Sequence, residues 1–393
     1  MTIYVQQRIE IMTSKRVLTG VSILFVLATL AACGGGGGGG SGGGAPAGAI
    51  QLAKTGQVTS YAPGDDGAIR AGVAWPSPRF TVDNCGTPAD NTDDVVTDPL
   101  TGLMWVRDHG GNTPRTWQQS LDYANALSLC GFSDWRLANV SELESLGNAD
   151  RYGFFWLAEQ GFLMTQGSFW SSTTKVLHAN RAWSLNLDGG ISEYDKTNTG
   201  AAWAVRGPAS AGVVTLARTG QATCYNAAGG VLPSCTATGQ DGEFTAGTPW
   251  PSPRFGVNDC GTLADTTDDV ITDNLTGLMW PRQGNLFATQ SWADAVASAN
   301  GLSLCGHTDW RLPNRRELRS LVNYGQALAG NWLGTQGFEN IQAANSIPCY
   351  WTSTSASADV DATHIYAACG YLFDGAFPAL QTKTEMRHVW PVR

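Results

Sequence analysis

The sequence repeats itself, and this duplication limits what the chain can fold into more than any other feature. Residues 76–107 and 251–282 are identical at 24 of 32 positions, at an offset of 175. Residues 125–146 and 300–321 keep this offset, with 15 of 22 positions identical. Solenoid repeats are about 20–50 residues long, so a repeat of this length predicts two globular domains in tandem.

The offset changes near the start of the repeat. Residues 52–57 match 216–221 at an offset of only 164, so the second copy carries 11 extra residues downstream of this match. We expect the first domain at residues 45–210 and the second at 211–393. The boundary is predicted in the small-residue stretch 208–212.

The fifteen tryptophans follow the duplication. Trp183 is the exception, because it has no tryptophan partner in the second copy and Tyr366 lies nearby in its place. The other fourteen form pairs at matching positions, namely Trp75 and Trp250, Trp105 and Trp280, Trp117 and Trp292, Trp135 and Trp310, Trp156 and Trp332, Trp170 and Trp351, and Trp203 and Trp390. Recurring indoles predict core packing; the alternative is that one or two form a ligand platform.

The N-terminal segment is typical of an export signal rather than of a folded domain. Lys15 and Arg16 precede an apolar run over residues 17–32, which is shorter than the roughly 20 residues that span a bilayer. This pattern predicts a secretory signal peptide over residues 1–32. Its end, Leu30-Ala31-Ala32-Cys33, resembles the bacterial lipobox, which implies cleavage before Cys33 and lipid attachment to it. An uncleaved anchor or an ordinary signal peptide is the alternative.

The mature chain is expected to begin with a tether. Residues 34–44 are glycine apart from Ser41, and such a segment predicts a flexible coil between Cys33 and the folded body. The glycines after Cys33 resemble the sorting pattern of outer-membrane lipoproteins, so we expect a lipid-anchored protein of the bacterial cell envelope.

Net charge excludes one class of partner. The chain has 24 Lys and Arg against 33 Asp and Glu, a net charge of −9. Three basic residues and one acidic residue lie in the predicted signal, so its removal leaves −11. Nucleic-acid binding needs a basic surface, and we expect none here.

The nine cysteines become an even number once Cys33 is assigned to the lipid. Exported proteins keep disulfides, so the remaining eight are expected to pair. Equal spacings of 45 residues and the position of the unmatched cysteines favour Cys85–Cys130, Cys260–Cys305, Cys224–Cys235 and Cys349–Cys369. Pairing of Cys224 or Cys235 with Cys349 or Cys369 is the alternative. A cysteine metal site is less expected, because no C-x-x-C motif occurs.

Local patterns predict an α+β fold in each unit. Thr116 with Gln119, and Asn139 with Glu142, are typical of capping boxes that begin two short helices. The second copy repeats these starts at Ser291 and Asn314. Strand-like segments follow at 169–174, 182–187, 191–194 and 203–206, with a hairpin turn at 188–190 and its counterpart at 373–376.

Several segments together resemble the Lcl C-terminal domain family, also called DUF1566. They are Val95–Trp105, Asp134–Leu137, Asn139–Leu143 and Phe169–Ser172, and in the second copy Ile271–Trp280, Asp309–Asn314 and Glu317–Leu318. The family is similar to C-type-lectin-like and formylglycine-generating-enzyme-type domains. The resemblance implies two compact units with two helices and an irregular antiparallel sheet each.

Eight aspartates are candidate calcium ligands. They recur in two equivalent loops as Asp90, Asp93, Asp94 and Asp98, and as Asp265, Asp268, Asp269 and Asp273. Ca²⁺ is held by six to eight oxygens, to which such a loop can contribute several. The alternative is a solvated loop in which the side chains cap backbone N–H groups.

Other polar residues suggest little chemistry. Arg136 and Arg311 are interpreted as structural ion pairs stacked on indole, with a binding role as the alternative. Ser171, Ser172 and Ser353 lack a nucleophile-elbow context. No histidine recurs at an equivalent position; the five are His109, His178, His307, His364 and His388. We therefore expect no enzyme activity.

The expected function is that of a surface-exposed lipoprotein with two lectin-like modules for ligand binding or adhesion. A carbohydrate or protein is the expected ligand, and some members of the family are adhesins that bind sulfated glycans. A polyanion would need a local basic patch, for which Arg315, Arg316 and Arg319 are the candidates. A structural envelope component is the second hypothesis, and an enzyme related to formylglycine-generating folds the third.

Overall fold

The computed structural model describes most of the duplicated region. The described residues are 49–108, 113–163, 167–186, 190–208, 211–342, 349–372, 375–376 and 379–393. Residues 45–393 form one compact unit. The predicted signal, Cys33 and the tether lie outside the described residues, as does part of the predicted boundary at 208–212, so these remain predictions. Within the described ranges, no helix combines the length and the apolar character that crossing a membrane requires.

The first copy consists of short elements. In chain order they are α1 (Asp66–Ile69), β1 (Thr81–Asp83), β2 (Val95–Asp98), β3 (Leu103–Val106), α2 (Trp117–Asn125), β4 (Arg136–Leu137), α3 (Val140–Ser145), α4 (Gly153–Glu159), β5 (Ser168–Thr174), a 3₁₀ turn (Val176–His178), β6 (Arg181–Asn186), β7 (Ile191–Asp195), β8 (Ala201–Ala202) and β9 (Ala204–Arg206).

The second copy repeats most of this order. Its elements are α5 (Asp241–Phe244), β10 (Phe255–Asn258), β11 (Val270–Asp273), β12 (Met279–Pro281), α6 (Trp292–Asn300), α7 (Arg315–Ser320), α8 (Ala329–Thr335), β13 (Cys349–Ser355), β14 (Tyr366–Tyr371) and β15 (Ala379–Thr382).

Two sheets in each copy carry these strands. The first copy has the strand orders β1-β2-β3-β9-β4 and β7-β6-β5-β8, and the second has β10-β11-β12 and β13-β14-β15. All pairs are antiparallel except β5 with β8. Registers repeat between the copies, because Val96 lies opposite Trp105 and Ile271 opposite Trp280. The α+β prediction is confirmed.

Capping explains which helices the sequence predicts. Asn139 and Glu142 form a capping box at the start of α3, and Asn314 with Glu317 does the same for α7. By contrast, α4 follows Tyr152 and α8 follows Leu328, and neither residue makes a side-chain cap hydrogen bond. Those two helices therefore lacked the sequence signal by which α3 and α7 were predicted.

Tryptophans form the centre of each core, as predicted. The rings of Trp105 and Trp203 lie 5.5 Å apart, and the equivalent Trp280 and Trp390 are separated by the same distance. Eleven of the fifteen are at most 2% exposed: Trp105, Trp117, Trp135, Trp170, Trp183, Trp203, Trp280, Trp292, Trp310, Trp351 and Trp390.

The two copies exchange their N-terminal arms, which we define as residues 52–70 and 216–245. Thr55 of the first arm still bonds to its own copy, since its carbonyl accepts from Ala149 N at 2.9 Å. Gln57 then crosses to the other copy, donating to Ser355 O and accepting from Ser355 N, both at 3.0 Å. The second arm repeats this crossing with Gln221 and Thr174, at 2.9 and 2.8 Å.

A lysine of the receiving copy packs against each arm. Lys383 Nζ lies 4.4 Å from the ring centroid of Tyr61 in the first arm and 4.3 Å from that of Trp292. The equivalent Lys196 lies 3.9 Å from Trp117 and 5.8 Å from Tyr225 in the second arm. These cation–π contacts add a second set of bonds between the copies.

Helices α3 and α7 also meet between the copies. Glu144 and Arg319 occupy matching positions, yet they differ in charge and form an ion pair at 2.6 Å. Identical residues facing each other there would place like charges together. The duplicated chain has opposite charges instead, which stabilises the contact between its halves.

Candidate ligand-binding cleft

A cleft of about 280 Å³ lies where β13 and β14 of the second copy meet loops of the first copy. The second copy contributes residues 354–357, Val360, Ala368 and Leu380. The first copy contributes Gly147, Asn148, Ala149, Arg151 and Gly153 after α3, and Asn186 of β6 with residues 190–192 at the start of β7. The arm exchange therefore brings both copies to one site.

The floor of the cleft carries hydroxyl groups that the protein leaves unused. Ser355 Oγ and Ser357 Oγ are buried and make no hydrogen bond within the described part of the chain. A buried hydroxyl without a partner costs about 1–3 kcal/mol. The matching Thr174 Oγ1 of the first copy is also buried and makes no hydrogen bond within the described residues, so both copies share this feature.

Two arginines line the cleft, and both have acidic neighbours. Arg151 bonds to Glu159 at 2.7 Å and to Asp359 at 3.1 Å. Arg315 lies 3.9 Å from Glu144. These pairs hold the guanidinium groups in place at the cleft wall.

The candidate calcium ligands are occupied by protein donors. Asp90 accepts from Thr92 N and Oγ1 at 2.9 and 2.6 Å, and these bonds lower the pKa of Asp90. Asp93 accepts from Thr87 Oγ1 at 2.7 Å. The second copy repeats these bonds with Asp265 and Thr267, and with Asp268 and Thr262.

The remaining four candidates form ion pairs. Asp94 pairs with Arg107 and Asp98 with Arg79, the latter at 3.3 Å. Their counterparts are Asp269 with Arg282 and Asp273 with Arg254, at 2.7 and 3.1 Å. Across the described residues, no three His, Cys, Asp or Glu side chains are grouped so that they could hold a metal ion. The calcium hypothesis gains no geometric support and stays a prediction.

The four expected disulfides are present. Cys85–Cys130 and Cys260–Cys305 have Cα–Cα distances of 5.2 and 5.3 Å, and join matching positions. Cys224–Cys235 and Cys349–Cys369 occur only in the second copy. The alternative pairing between these last two pairs is wrong.

The arginines singled out in the sequence are structural. Arg136 forms a bidentate pair with Glu142, and Arg311 forms one with Glu317. The Arg136 guanidinium also lies 5.7 Å from the ring centroid of Phe244, a phenyl ring of the second arm rather than an indole.

Two of the three arginines considered as a possible basic patch on α7 are turned to the first copy, while Arg315 lines the cleft. Arg319 is buried against Glu144, and Arg316 donates to Gly147 O at 3.0 Å. Burial, followed by the neighbouring Arg79, lowers the pKa of Arg316 to about 10, so it remains charged at neutral pH. These charges bind the first copy and are not displayed to a polyanion.

Two buried aspartates were not predicted as site residues from the sequence. Asp66 Oδ2 accepts from Thr55 Oγ1 at 2.7 Å and from Thr354 Oγ1 of the other copy at 2.6 Å. Asp241 has equivalent bonds to Thr219 and Thr173, both at 2.7 Å. Burial raises the pKa of each from 3.8 to about 6. The sequence does carry a signal for them, because each begins an Asp-Gly pair and these pairs lie at matching positions of the two arms.

The serines considered as nucleophiles belong to strands. Ser171, Ser172 and Ser353 are buried in β5 and β13. Ser171 Oγ donates to Trp183 O at 2.8 Å, so it stabilises the β5–β6 pair. None of the three lines the cleft.

The family model described as the Lcl C-terminal domain matches residues 94–206 and again 269–393, together more than half of the chain. No curated protein matches significantly.

Proposed function

The chain belongs to the Lcl C-terminal domain family, with two copies of the domain, and we propose that it is a non-enzymatic, surface-exposed bacterial lipoprotein that binds a ligand. The observation that carries the binding function is the 280 Å³ cleft, lined by both copies and by polar side chains that include Asn148, Asn186 and Ser192. Concave sites with a few convergent polar groups are the usual places for small ligands.

We extend the proposal to location and fold. The lipobox-like end at Cys33 and the glycine-rich tether support a lipid anchor in the envelope, on the outer membrane. Short helices and several antiparallel sheets in each copy are compatible with a C-type-lectin-like fold. Adhesion to a carbohydrate or protein is the role we assign to this body.

A glycan array tests the binding function with the compact unit of residues 45–393, with and without Ca²⁺. We expect a signal that Ala368→Trp abolishes, because a tryptophan at this position would fill the cleft. Leu263→Trp, at a fully exposed position, is the matched control and is expected to bind like the unmodified protein.

A structural role in the envelope is the second candidate, and the edge strands favour it. β1 and β10 lie at matching edges of their sheets, and Val82 and Val257 on them are exposed. Exposed edges with apolar side chains are suited to pairing with another protein. Absence of any array signal, together with a specific envelope protein in a pull-down, would favour this candidate over ligand binding.

A further inference from the structure

The cleft has an equivalent place beside β6, where residues of both copies also meet, and hydrogen bonds identify the matching residues. Ser171 Oγ donates to Trp183 O, and Thr352 Oγ1 donates to Ala368 O, both at 2.8 Å. Ser171 and Thr352 are matching positions in β5 and β13. The counterpart of Trp183 is therefore Ala368, not the neighbouring Tyr366.

Two further large residues of the filled place are replaced by alanine at the cleft. Tyr324 N donates to Thr219 O, as Ala149 N donates to Thr55 O, so Tyr324 corresponds to Ala149. The second replacement lies at the residue directly after β5 and β13, which is Lys175 in the first copy and Ala356 in the second. Lys175 N donates to Arg181 O and Ala356 N to Tyr366 O, which makes these two residues equivalent as well.

Beside β6, three large side chains fill the available space: Trp183 and Lys175 of the first copy and Tyr324 of the second. The rings of Trp183 and Tyr324 meet edge to face at 5.5 Å, and both are buried. Lys175 Nζ lies 4.1 Å from the Trp183 ring centroid and 3.2 Å from Glu193. The Trp183 indole, with the Lys175 ammonium group above it and the edge of the Tyr324 ring beside it, thus fills this place.

At the cleft, which residues of both copies line, the same space is open. Ala368, Ala149 and Ala356 line the cleft where the indole, the phenol and the lysine would lie. Gly147 lies at the position that matches Val322, and the absence of a side chain there widens the cleft further. Its apolar walls come from Ile191, Val360 and Leu380, the last at the position that matches Glu193.

We infer that this cleft binds one small molecule with a flat apolar ring of about the size of indole and a polar group that faces the polar side chains of the cleft wall, Asn148 and Ser192 among them. The inference rests on the proposed ligand binding and specifies its site and ligand class. An indole fits the matching place beside β6, and 280 Å³ exceeds the roughly 150 Å³ that accommodates benzene in an engineered cavity. None of the described residues that line the cleft is aromatic, so its walls would contact the ring through aliphatic groups.

The test uses 5-fluoroindole as the probe and ¹⁹F NMR line broadening as the readout. The unit of residues 45–393 is expected to bind one equivalent in fast exchange. Ala368→Trp and, independently, Ala149→Tyr should each weaken binding at least about tenfold, because each restores a side chain that fills the matching place. Leu263→Trp should leave binding unchanged.

Each outcome separates this inference from the proposed function. No broadening with the unmodified protein, or equal broadening with both filled variants, would overturn the ring-binding inference. A glycan signal that disappears in Ala368→Trp without any fluoroindole binding would overturn it as well, while leaving ligand binding intact. Fluoroindole binding that both filled variants abolish, without a glycan signal, supports the inference and argues against glycan adhesion.

Discussion

Two matching places in this molecule have opposite contents. Beside β6, Trp183 and Lys175 of the first copy and Tyr324 of the second fill the space, whereas beside β14 Ala368 and Ala356 of the second copy and Ala149 of the first leave a cleft. The surrounding scaffold is the same, since both arms cross and both aspartates accept two threonine hydroxyls. The difference teaches that duplication can keep one of two equivalent places filled as support while the other is open as a site.

The largest loss of stability is expected when a side chain is removed from the filled place beside β6. Trp183→Ala removes a fully buried indole and should lower the free energy of unfolding by about 3–5 kcal/mol in urea denaturation. The reverse change, Ala368→Trp, enters an open cleft and should alter stability by less than about 1 kcal/mol. Equal losses in the two variants would contradict the difference between the places.

The contact between α3 and α7 gives the next largest effect. Glu144→Arg places like charges against buried Arg319 and should cost about 2–4 kcal/mol of unfolding free energy. The exchange Glu144→Arg with Arg319→Glu should recover much of this loss, because it restores opposite charges. Glu159→Gln, which breaks an exposed pair with Arg151, is the control and should cost less than about 0.5 kcal/mol.

The pH dependence of stability tests the buried aspartates of the two arms, a feature that both copies share. Asp66 and Asp241 have pKa values raised from 3.8 to about 6, so each stabilises the fold below pH 3.8 and this contribution is lost as pH rises through 6. The nearby Glu317 and Glu142 raise these pKa values, while Arg311 and Arg136 lower them.

We expect the change from pH 4 to 7 to be about 1–3 kcal/mol for each aspartate. The variant Asp66→Asn/Asp241→Asn keeps an acceptor for the threonines and should remove this part of the slope in urea denaturation measured across that range. An unchanged slope would show that other groups govern the pH dependence.

The smallest effect concerns the aspartate loops, in which the copies match. Because Thr, Arg and backbone N–H groups already bond to these carboxylates, adding EDTA to calcium-loaded protein should leave the melting temperature unchanged. A chelator-dependent decrease would instead support the calcium hypothesis.

Sequence patterns predicted much of the scaffold, because its signals are local. Capping boxes at Asn139 and Asn314 begin helices, and equal cysteine spacings identify two of the four disulfides. The arm exchange could not be predicted, since a repeat does not tell which copy an arm packs against. Gln57 and Gln221 match in sequence whether they bond within or between copies.

The cleft itself left one trace in the sequence. Trp183 was the single tryptophan without a partner, and its matching position, Ala368, lines the cleft. Ala368 could not be identified as its counterpart, because the offset between the copies changes from 181 at Trp170–Thr173 to 185 at β6 and β14. Only strand register gives that match.

Anomalous diffraction from crystals of residues 45–393 soaked with 5-bromoindole would test the open cleft most directly. We predict one bromine peak per chain, beside Ala368, and none beside Trp183. A peak beside Trp183, or bromine only at sites outside the cleft, would contradict it.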